Sequence, residues 1–226
     1  MSLRRRLLGM QFTDGLLYKS IVLLLLISFS YIYLYPMLFM LTNSFMNVED
    51  LINPGVKWIP TVVEIENYRR AVQVLELPSA IFSSTSYVLR VSLSATISSA
   101  LIGYGFATFN FPLKKLLFAL MLATFILPSQ VTMVANMLIF RNLGIMSTEQ
   151  SMILPAIFGQ GYNAAIYILI FYQFFKTIPT VLRESAEIDG ASPFKVFYKI
   201  ALPLAIPSLL IVFLFSFVWY WNETFM

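Results

Sequence analysis

Neither cysteine nor histidine occurs in the sequence. Without cysteine the chain cannot form disulfides or thiolate metal sites, and without histidine it lacks the commonest metal ligand and general base. Charged residues are also scarce, at 12% of the 226 positions, whereas hydrophobic residues make up 59%. This balance lies well outside that of a soluble domain, so the sequence predicts a polytopic, all-α membrane protein.

Several function classes are disfavoured by further absences from the sequence. No GxxxxGK[ST] phosphate loop occurs, so the chain is not expected to hydrolyse ATP itself. None of the long apolar runs carries a charge away from its ends, whereas ion-coupled transporters tend to carry such charges as relay groups. No carboxylate pair, Ser/Lys dyad or metal cluster is found at membrane depth, which disfavours an intramembrane enzyme. The net charge of +4 is spread over the loops, which argues against nucleic acid as a partner.

Five apolar runs are each long enough to cross roughly 30 Å of hydrocarbon. The predicted spans are 21–41, 91–113, 116–140, 150–175 and 200–222. The fourth run contains Pro155, Gly159 and Gly161, so we expect a turn or break before its helix proper starts near Asn163. Residues 1–80 are therefore interpreted as a cytoplasmic N-terminus, a first span and an external loop. Residues 81–226 are interpreted as a transport core of four spans.

Local patterns add detail to this outline. In the external loop, Glu66-Asn67-Tyr68 opens a predicted short helix that ends at Glu76. In the second run small residues recur every fourth position, which lets two membrane helices approach closely. These residues are Ala95, Ser99, Gly103 and Ala107. Arg90 is expected at the outer edge of this span, because a charge at mid-membrane costs roughly 2.5 to 3.5 kcal/mol on insertion scales.

The basic residues predict the orientation of the chain. With a cytoplasmic N-terminus, ten basic residues fall on the inner side: Arg4, Arg5, Arg6, Lys19, Lys114, Lys115, Lys176, Arg183, Lys195 and Lys199. Four fall on the outer side: Lys57, Arg69, Arg70 and Arg141. This asymmetry follows the positive-inside rule and places the segment 179–203 in the cytoplasm.

The segment 179–203, here called the insert, is predicted to form two short helices joined by a tight turn. Pro179 suits a first helical position, and Gly190 suits the residue after a helix end, where φ is often positive. Ser192 is predicted to cap the second helix, with Pro193 in its first turn. The second helix then presents a predicted apolar stripe that packs on the spans. The stripe contains Phe194, Phe197, Tyr198 and Ala201.

Two interpretations of the insert follow from its residues. On the first helix Leu182, Ser185, Ala186 and Asp189 share one side, so a notch of small residues lies beside an acidic end. Such a notch suits contact with another protein in water. The alternative is an ordinary amphipathic interfacial loop that extends its lysines to lipid headgroups.

The first helix of the insert contains Glu184-Ser185-Ala186, and Gly190 follows four residues after Ala186. This pattern resembles the EAA loop of permease subunits of binding-protein-dependent ABC importers, with Ser185 in place of the usual alanine. The run Ile188-Asp189-Gly190-Ala191-Ser192, followed by Leu202-Pro203, is similar to the carbohydrate-uptake branch, the family of the second maltose permease subunit. Arg183 stands where that family often has an acidic residue, and Thr108 stands where an arginine is common.

The resemblance implies a type I ABC importer transmembrane fold and a non-catalytic subunit of the cell membrane. It implies partners: a second permease subunit, two cytoplasmic ATPase subunits that hold ATP and Mg, and an extracytoplasmic solute-binding protein. Members of this family usually have six spans, so we expect the last span to be missing from this sequence. The residues of the implied ATPase-coupling loop are Glu184, Ser185, Ala186, Asp189, Gly190, Ala191, Ser192, Phe194, Leu202 and Pro203.

Uncharged polar residues in the spans are the candidates for the substrate pathway. The main candidates are Gln130, Asn136, Asn163 and Tyr167, and further candidates are Gln160, Gln173 and Tyr162. Amides both donate and accept hydrogen bonds, which suits a neutral solute rich in hydroxyl groups. The alternative is that these groups bond neighbouring helices to one another. An ATP-independent channel or secondary transporter for a neutral solute is the alternative function.

Overall fold

The computed structural model describes residues 15–223, and the regular elements in this range are helices. The predicted basic cluster Arg4, Arg5 and Arg6 lies outside the described residues. The chain divides into two compact units, residues 1–79 and residues 80–226.

The first unit contains the long helix α1 (Leu16–Ser44), the short α2 (Val48–Ile52) and α3 (Glu66–Val74). Helix α1 covers the predicted first span, and α3 begins at the predicted residue. The loop between α2 and α3 is tied down by the buried carboxylate of Asp50, which accepts hydrogen bonds from the backbone N–H and the hydroxyl of Thr61 at 2.8 and 2.6 Å. The Asn67 side chain donates to the Met46 carbonyl at 2.8 Å. These buried polar groups therefore find partners, which fixes the loop.

The remaining helices follow in order along the chain. They are α4 (Leu77–Thr108), α5 (Lys114–Ile126), α6 (Ser129–Asn142), α7 (Gln150–Ile157), α8 (Ala164–Thr177), α9 (Thr180–Ile188), α10 (Pro193–Val196), a π-helical turn (Phe197–Ala201), α11 (Leu202–Leu204) and α12 (Ile206–Trp221). Helix α8 begins at Ala164, directly after Asn163, so the predicted break in the fourth run is confirmed.

Among the described residues, two helices are long and apolar enough to cross a membrane without interruption, α1 and α4. Three further pairs of helices reach that length only when each pair, bent by more than 40°, is counted as one span. The largest possible count is five. The number of crossings therefore stays a prediction.

Two predicted continuous spans are broken in the structure. The third run bends by 105° between α5 and α6, where Leu127 and Pro128 are both extended. Proline disfavours the helical region for the residue before it and has no N–H to continue the ladder. The fifth run bends by 77° at Ala205, between Pro203 and Pro207. The prolines expected at the entry of this span thus interrupt it.

Helix α4 is longer than predicted at its N-terminal end. It begins at Leu77 and ends at Thr108, so it extends beyond the predicted run 91–113 at one end and stops short of it at the other. Arg90 lies within this helix and forms an ion pair with Glu149, with an N–O distance of 2.7 Å. The position of Arg90 at the edge of the span stays a prediction.

The small-residue stripe of α4 packs as predicted. A methyl group added to Gly103 would lie 2.6 Å from Cβ of Phe171 and 3.0 Å from the backbone of α8 at Ile168 and Tyr172. Only a residue without a side chain allows this approach. Two apolar cores flank this contact. The first contains Ala100, Tyr104, Tyr167, Phe171, Phe175, Phe197, Ala201, Ala205 and Val212, and the second contains Val88, Val91, Ala95, Met152, Ile153, Ala156 and Tyr220.

Candidate functional site: the insert and a polar cavity

The turn of the insert has the geometry that its sequence predicts. Gly190 follows the end of α9 with φ +78°. Its N–H donates to the Glu187 carbonyl at 3.0 Å, and the N–H of Ala191 donates to the Ala186 carbonyl at 2.9 Å. These two bonds form a Schellman motif, which satisfies the last carbonyls of the helix. Pro179 differs slightly from the prediction, since it is the N-cap of α9 and not its first helical residue.

The second half of the insert is capped as predicted but packs differently. The Ser192 hydroxyl accepts a hydrogen bond from the Lys195 N–H at 3.3 Å, and Pro193 opens α10. Of the predicted stripe, Phe197 and Ala201 are buried, whereas Phe194 is 71% and Tyr198 is 60% exposed. The segment Phe197–Ala201 is a π-helical turn, and its first and last residues are both buried. The predicted stripe is therefore buried in its second half and exposed at Phe194 and Tyr198.

Most residues of the predicted coupling loop lie on the surface of the insert. The exposed ones are Glu184, Ser185, Asp189, Gly190, Ser192, Phe194 and Pro203, and the half-buried ones are Ala186, Ala191 and Leu202. Ile188 stands beside them and is 86% exposed. Two carboxylates, Glu184 and Asp189, and the apolar side chains of Ile188 and Phe194 are thus accessible around the turn. On the opposite side Phe197 packs on Tyr104 of α4, with ring centroids 4.9 Å apart.

A cavity of about 720 Å³ lies between α6, the segment before α8 and the end of α12. Three of the four predicted pathway residues, Gln130, Asn136 and Asn163, line it together. Gln160, Tyr162, Trp219 and Tyr220 also line it, and none of the described residues in its wall is charged. Tyr167, the fourth predicted residue, is only 3% exposed and belongs to the apolar core. Gln173 is exposed elsewhere on α8.

The wall of this cavity is shaped by an irregular segment between α7 and α8. Gly159 and Asn163 both adopt positive φ, at +68° and +57°. The hydroxyl oxygen of the buried Tyr220 accepts a hydrogen bond from the Tyr162 N–H at 3.1 Å. A methyl group on Gly161 would lie 2.6 Å from that oxygen. Tyr220 therefore fixes the segment, a role that only its spatial position reveals.

The fold defines the class of the protein. The structure of a bacterial ABC transporter involved in the import of the acidic polysaccharide alginate matches 99% of this chain and 74% of its own chain, with a TM-score of 0.74 and 18% sequence identity. The chain therefore has the type I fold of an ABC importer permease.

Sequence comparison gives the family. Residues 99–226 match the family described as "Binding-protein-dependent transport system inner membrane component". Because this match covers more than half of the chain, the chain belongs to that family: it is a multi-pass ABC transporter permease subunit and not an enzyme.

Curated relatives agree with this assignment. A diacetylchitobiose uptake system permease protein of Streptomyces coelicolor is 28% identical over 88% of this chain and 65% of its own length. A polygalacturonan/rhamnogalacturonan transport system permease protein of Bacillus subtilis is 29% identical over 91% and 70%. An sn-glycerol-3-phosphate transport system permease protein of Brucella abortus is 27% identical over 84% and 68%. The chain thus spans about two thirds of the length of these relatives.

Proposed function

We propose that this chain is one permease subunit of an ATP-driven importer of a sugar or oligosaccharide, and that it is coupled to its ATPase through the insert. The observation that carries the proposal is the surface around Gly190. There, a Schellman turn and a capped second helix present carboxylates and apolar side chains outward, while Phe197 anchors the same segment on α4. A segment that is rigid, exposed on one side and anchored on the other suits the transmission of a mechanical displacement.

The partners follow from this role. A second permease subunit would complete the translocation pathway, and two ATPase subunits would bind the insert and hold ATP and Mg. A solute-binding protein would deliver substrate on the opposite side of the membrane. The excess of basic residues on the insert side supports a cytoplasmic N-terminus and a cytoplasmic insert.

A saccharide substrate is supported by two independent observations. Two of the relatives are named for the transport of diacetylchitobiose and of polygalacturonan or rhamnogalacturonan. The cavity wall combines amide side chains with aromatic rings, the groups that bind hydroxyls and the apolar faces of sugar rings.

The proposal is tested by reconstitution. The chain is placed in proteoliposomes with the permease and ATPase subunits encoded beside its gene, and uptake of labelled oligosaccharides is followed with and without ATP on the ATPase side. The proposal expects uptake only with ATP and only with the ATPase present. Uptake by the purified chain without ATP would instead identify a channel or secondary transporter.

In this assay Asn136→Leu is expected to raise the KM for uptake by about 3- to 10-fold, because one hydrogen bond to the solute is lost at a cost of roughly 0.5 to 1.5 kcal/mol. Gln173→Leu is the matched control, since it removes an amide that does not line the cavity. Equal effects of the two substitutions would show that the cavity is not the pathway.

A further inference from the structure

Arg183 forms a polar contact between the first helix of the insert and the transport core. Its Nη1 donates a hydrogen bond to the Thr108 carbonyl oxygen at 3.3 Å. Thr108 is the last residue of α4, and the last carbonyls of a helix have no partner within it. A cation placed there also interacts favourably with the negative end of the helix dipole. Arg183 therefore caps α4 from a different helix.

The rest of the Arg183 side chain is partly buried, with 33% of it exposed. Its Nε lies at an ion-pair distance of 3.5 Å from Oε1 of Glu187, one turn further along α9, but it makes no hydrogen bond. Within the described residues, the bond from Arg183 Nη1 to the Thr108 carbonyl is the one hydrogen bond that joins a side chain of α9 to an atom outside the insert. Glu184, Ser185 and Asp189 are exposed instead. Arg183 thus faces inward while its neighbours face outward.

The second helix of the insert reaches the same end of α4. Phe197 packs against Tyr104, and each ring is only 7% exposed. Tyr104 and Thr108 are four residues apart, so they share one face of α4. Both helices of the insert therefore attach to the last turn of a single helix, one through a charged group and one through an aromatic ring.

Helix α4 connects this attachment to α7, a helix that lines the cavity. It is one unbroken helix of 32 residues, and the rise from Thr108 back to Arg90 is about 27 Å. Along it, the Ser98 hydroxyl donates to the Ala156 carbonyl of α7 at 2.6 Å, and Arg90 pairs with Glu149 just before α7. Helix α7 contributes Ser151, Met152, Leu154 and Pro155 to the wall of the cavity.

We propose that Arg183 is a positioning residue for coupled transport, and that it makes the end of α4 follow the insert when the ATPase moves it. This rests on the proposed function, because it takes the insert as the ATPase contact. Without Arg183 the first helix of the insert can shift while α4 stays in place, so ATP is hydrolysed without a full change at the cavity.

The test compares Arg183→Leu, Arg183→Gln and Arg183→Lys with Lys195→Leu, which removes an exposed cation of the same insert. Each full transporter is reconstituted in proteoliposomes. ATPase retention, ATP hydrolysis rate and solute imported per ATP are measured for each. We expect Arg183→Leu and Arg183→Gln to retain the ATPase but to lower the solute imported per ATP at least about fivefold. Arg183→Lys should recover most of this ratio, because its ammonium can still reach the Thr108 carbonyl, and Lys195→Leu should match the unsubstituted protein.

Other results separate the two proposals. If the solute imported per ATP is unchanged in both Arg183→Leu and Arg183→Gln, the positioning role is overturned. If Arg183→Leu does not fold, an unchanged ratio in Arg183→Gln alone overturns it. Loss of ATPase binding in these variants also overturns it, because Arg183 would then be a docking residue. If the unsubstituted chain retains no ATPase, the proposed function itself is wrong.

Discussion

Replacement of Gly190 by proline is expected to abolish ATP-dependent uptake while the chain still inserts into the membrane. Gly190 has φ +78°, and proline fixes φ near −65°. Proline also removes the N–H that donates to the Glu187 carbonyl at 3.0 Å. The Schellman turn needs both the positive φ and the N–H of Gly190. Without this turn, the exposed residues of α9 and the capped start of α10 lose their relative placement.

Uptake in proteoliposomes and the amount of chain in the membrane are measured together for this variant. Gly190→Ala is the graded control. It keeps the N–H, meets no atom within 4 Å of the added carbon, and costs roughly 1 to 2 kcal/mol for the left-handed conformation. It should therefore retain much of the uptake. Normal uptake with Gly190→Pro would contradict any role of the turn in coupling.

Gly103→Ala is expected to destabilise the transport core by about 1 to 3 kcal/mol, the usual cost of overpacking. Two of the nearest atoms, the Ile168 oxygen and the Tyr172 nitrogen, belong to the backbone of α8. They cannot rotate away as a side chain can, so the two helices must separate. The measurement is the free energy of unfolding in detergent micelles, followed by circular dichroism.

Gly105→Ala provides the matched comparison for Gly103→Ala. It lies in the same helix, and an added carbon there meets nothing within 4 Å. Alanine favours the helix over glycine by up to about 1 kcal/mol, so this variant should be as stable as the unsubstituted protein or more so. If both variants unfold alike, the close approach of α4 and α8 does not contribute to stability.

Local signals in the sequence predict much of the fold. An apolar run predicts the first span, and a polar opening predicts the start of α3. A break that contains glycine predicts the start of α8. Gly190 and Ser192 have the roles that their residue types indicate, because a positive φ and an N-cap are properties of single positions. The small-residue stripe likewise predicts a close helix contact, which Gly103 makes.

Other features of the structure differ from the prediction or could not be predicted from the sequence. The apolar run around Pro128 has the length of a span, but hydropathy does not report the bend that proline imposes. Phe194 and Tyr198 are exposed, and the segment Phe197–Ala201 is a π-helical turn, which a pattern of residues three and four apart does not anticipate. The ion pair of Arg90 with Glu149 joins residues 59 positions apart, so the sequence does not show it.

The residues that line the cavity could also be predicted only in part. Gln130, Asn136 and Asn163 meet in one wall, which their shared polarity suggested. Tyr167 does not join them, because it lies four residues before Phe171 and belongs to the buried face of α8. Trp219 and Tyr220 come from the end of the last described helix, and only the folded chain brings them to the cavity. Whether the cavity carries substrate stays a prediction.

The central claim is that the insert binds a cytoplasmic ATPase, and a pull-down tests it most directly. The unsubstituted chain, Glu184→Lys and Glu49→Lys are purified in detergent and mixed with the ATPase subunits of the same organism. Both glutamates are exposed, and each variant replaces one glutamate by lysine, so the two variants change the net charge equally. Only Glu184 lies in the insert. The account predicts that the ATPase is retained by the unsubstituted chain and by Glu49→Lys and is lost with Glu184→Lys. Equal retention by all three chains, or by none, would contradict it.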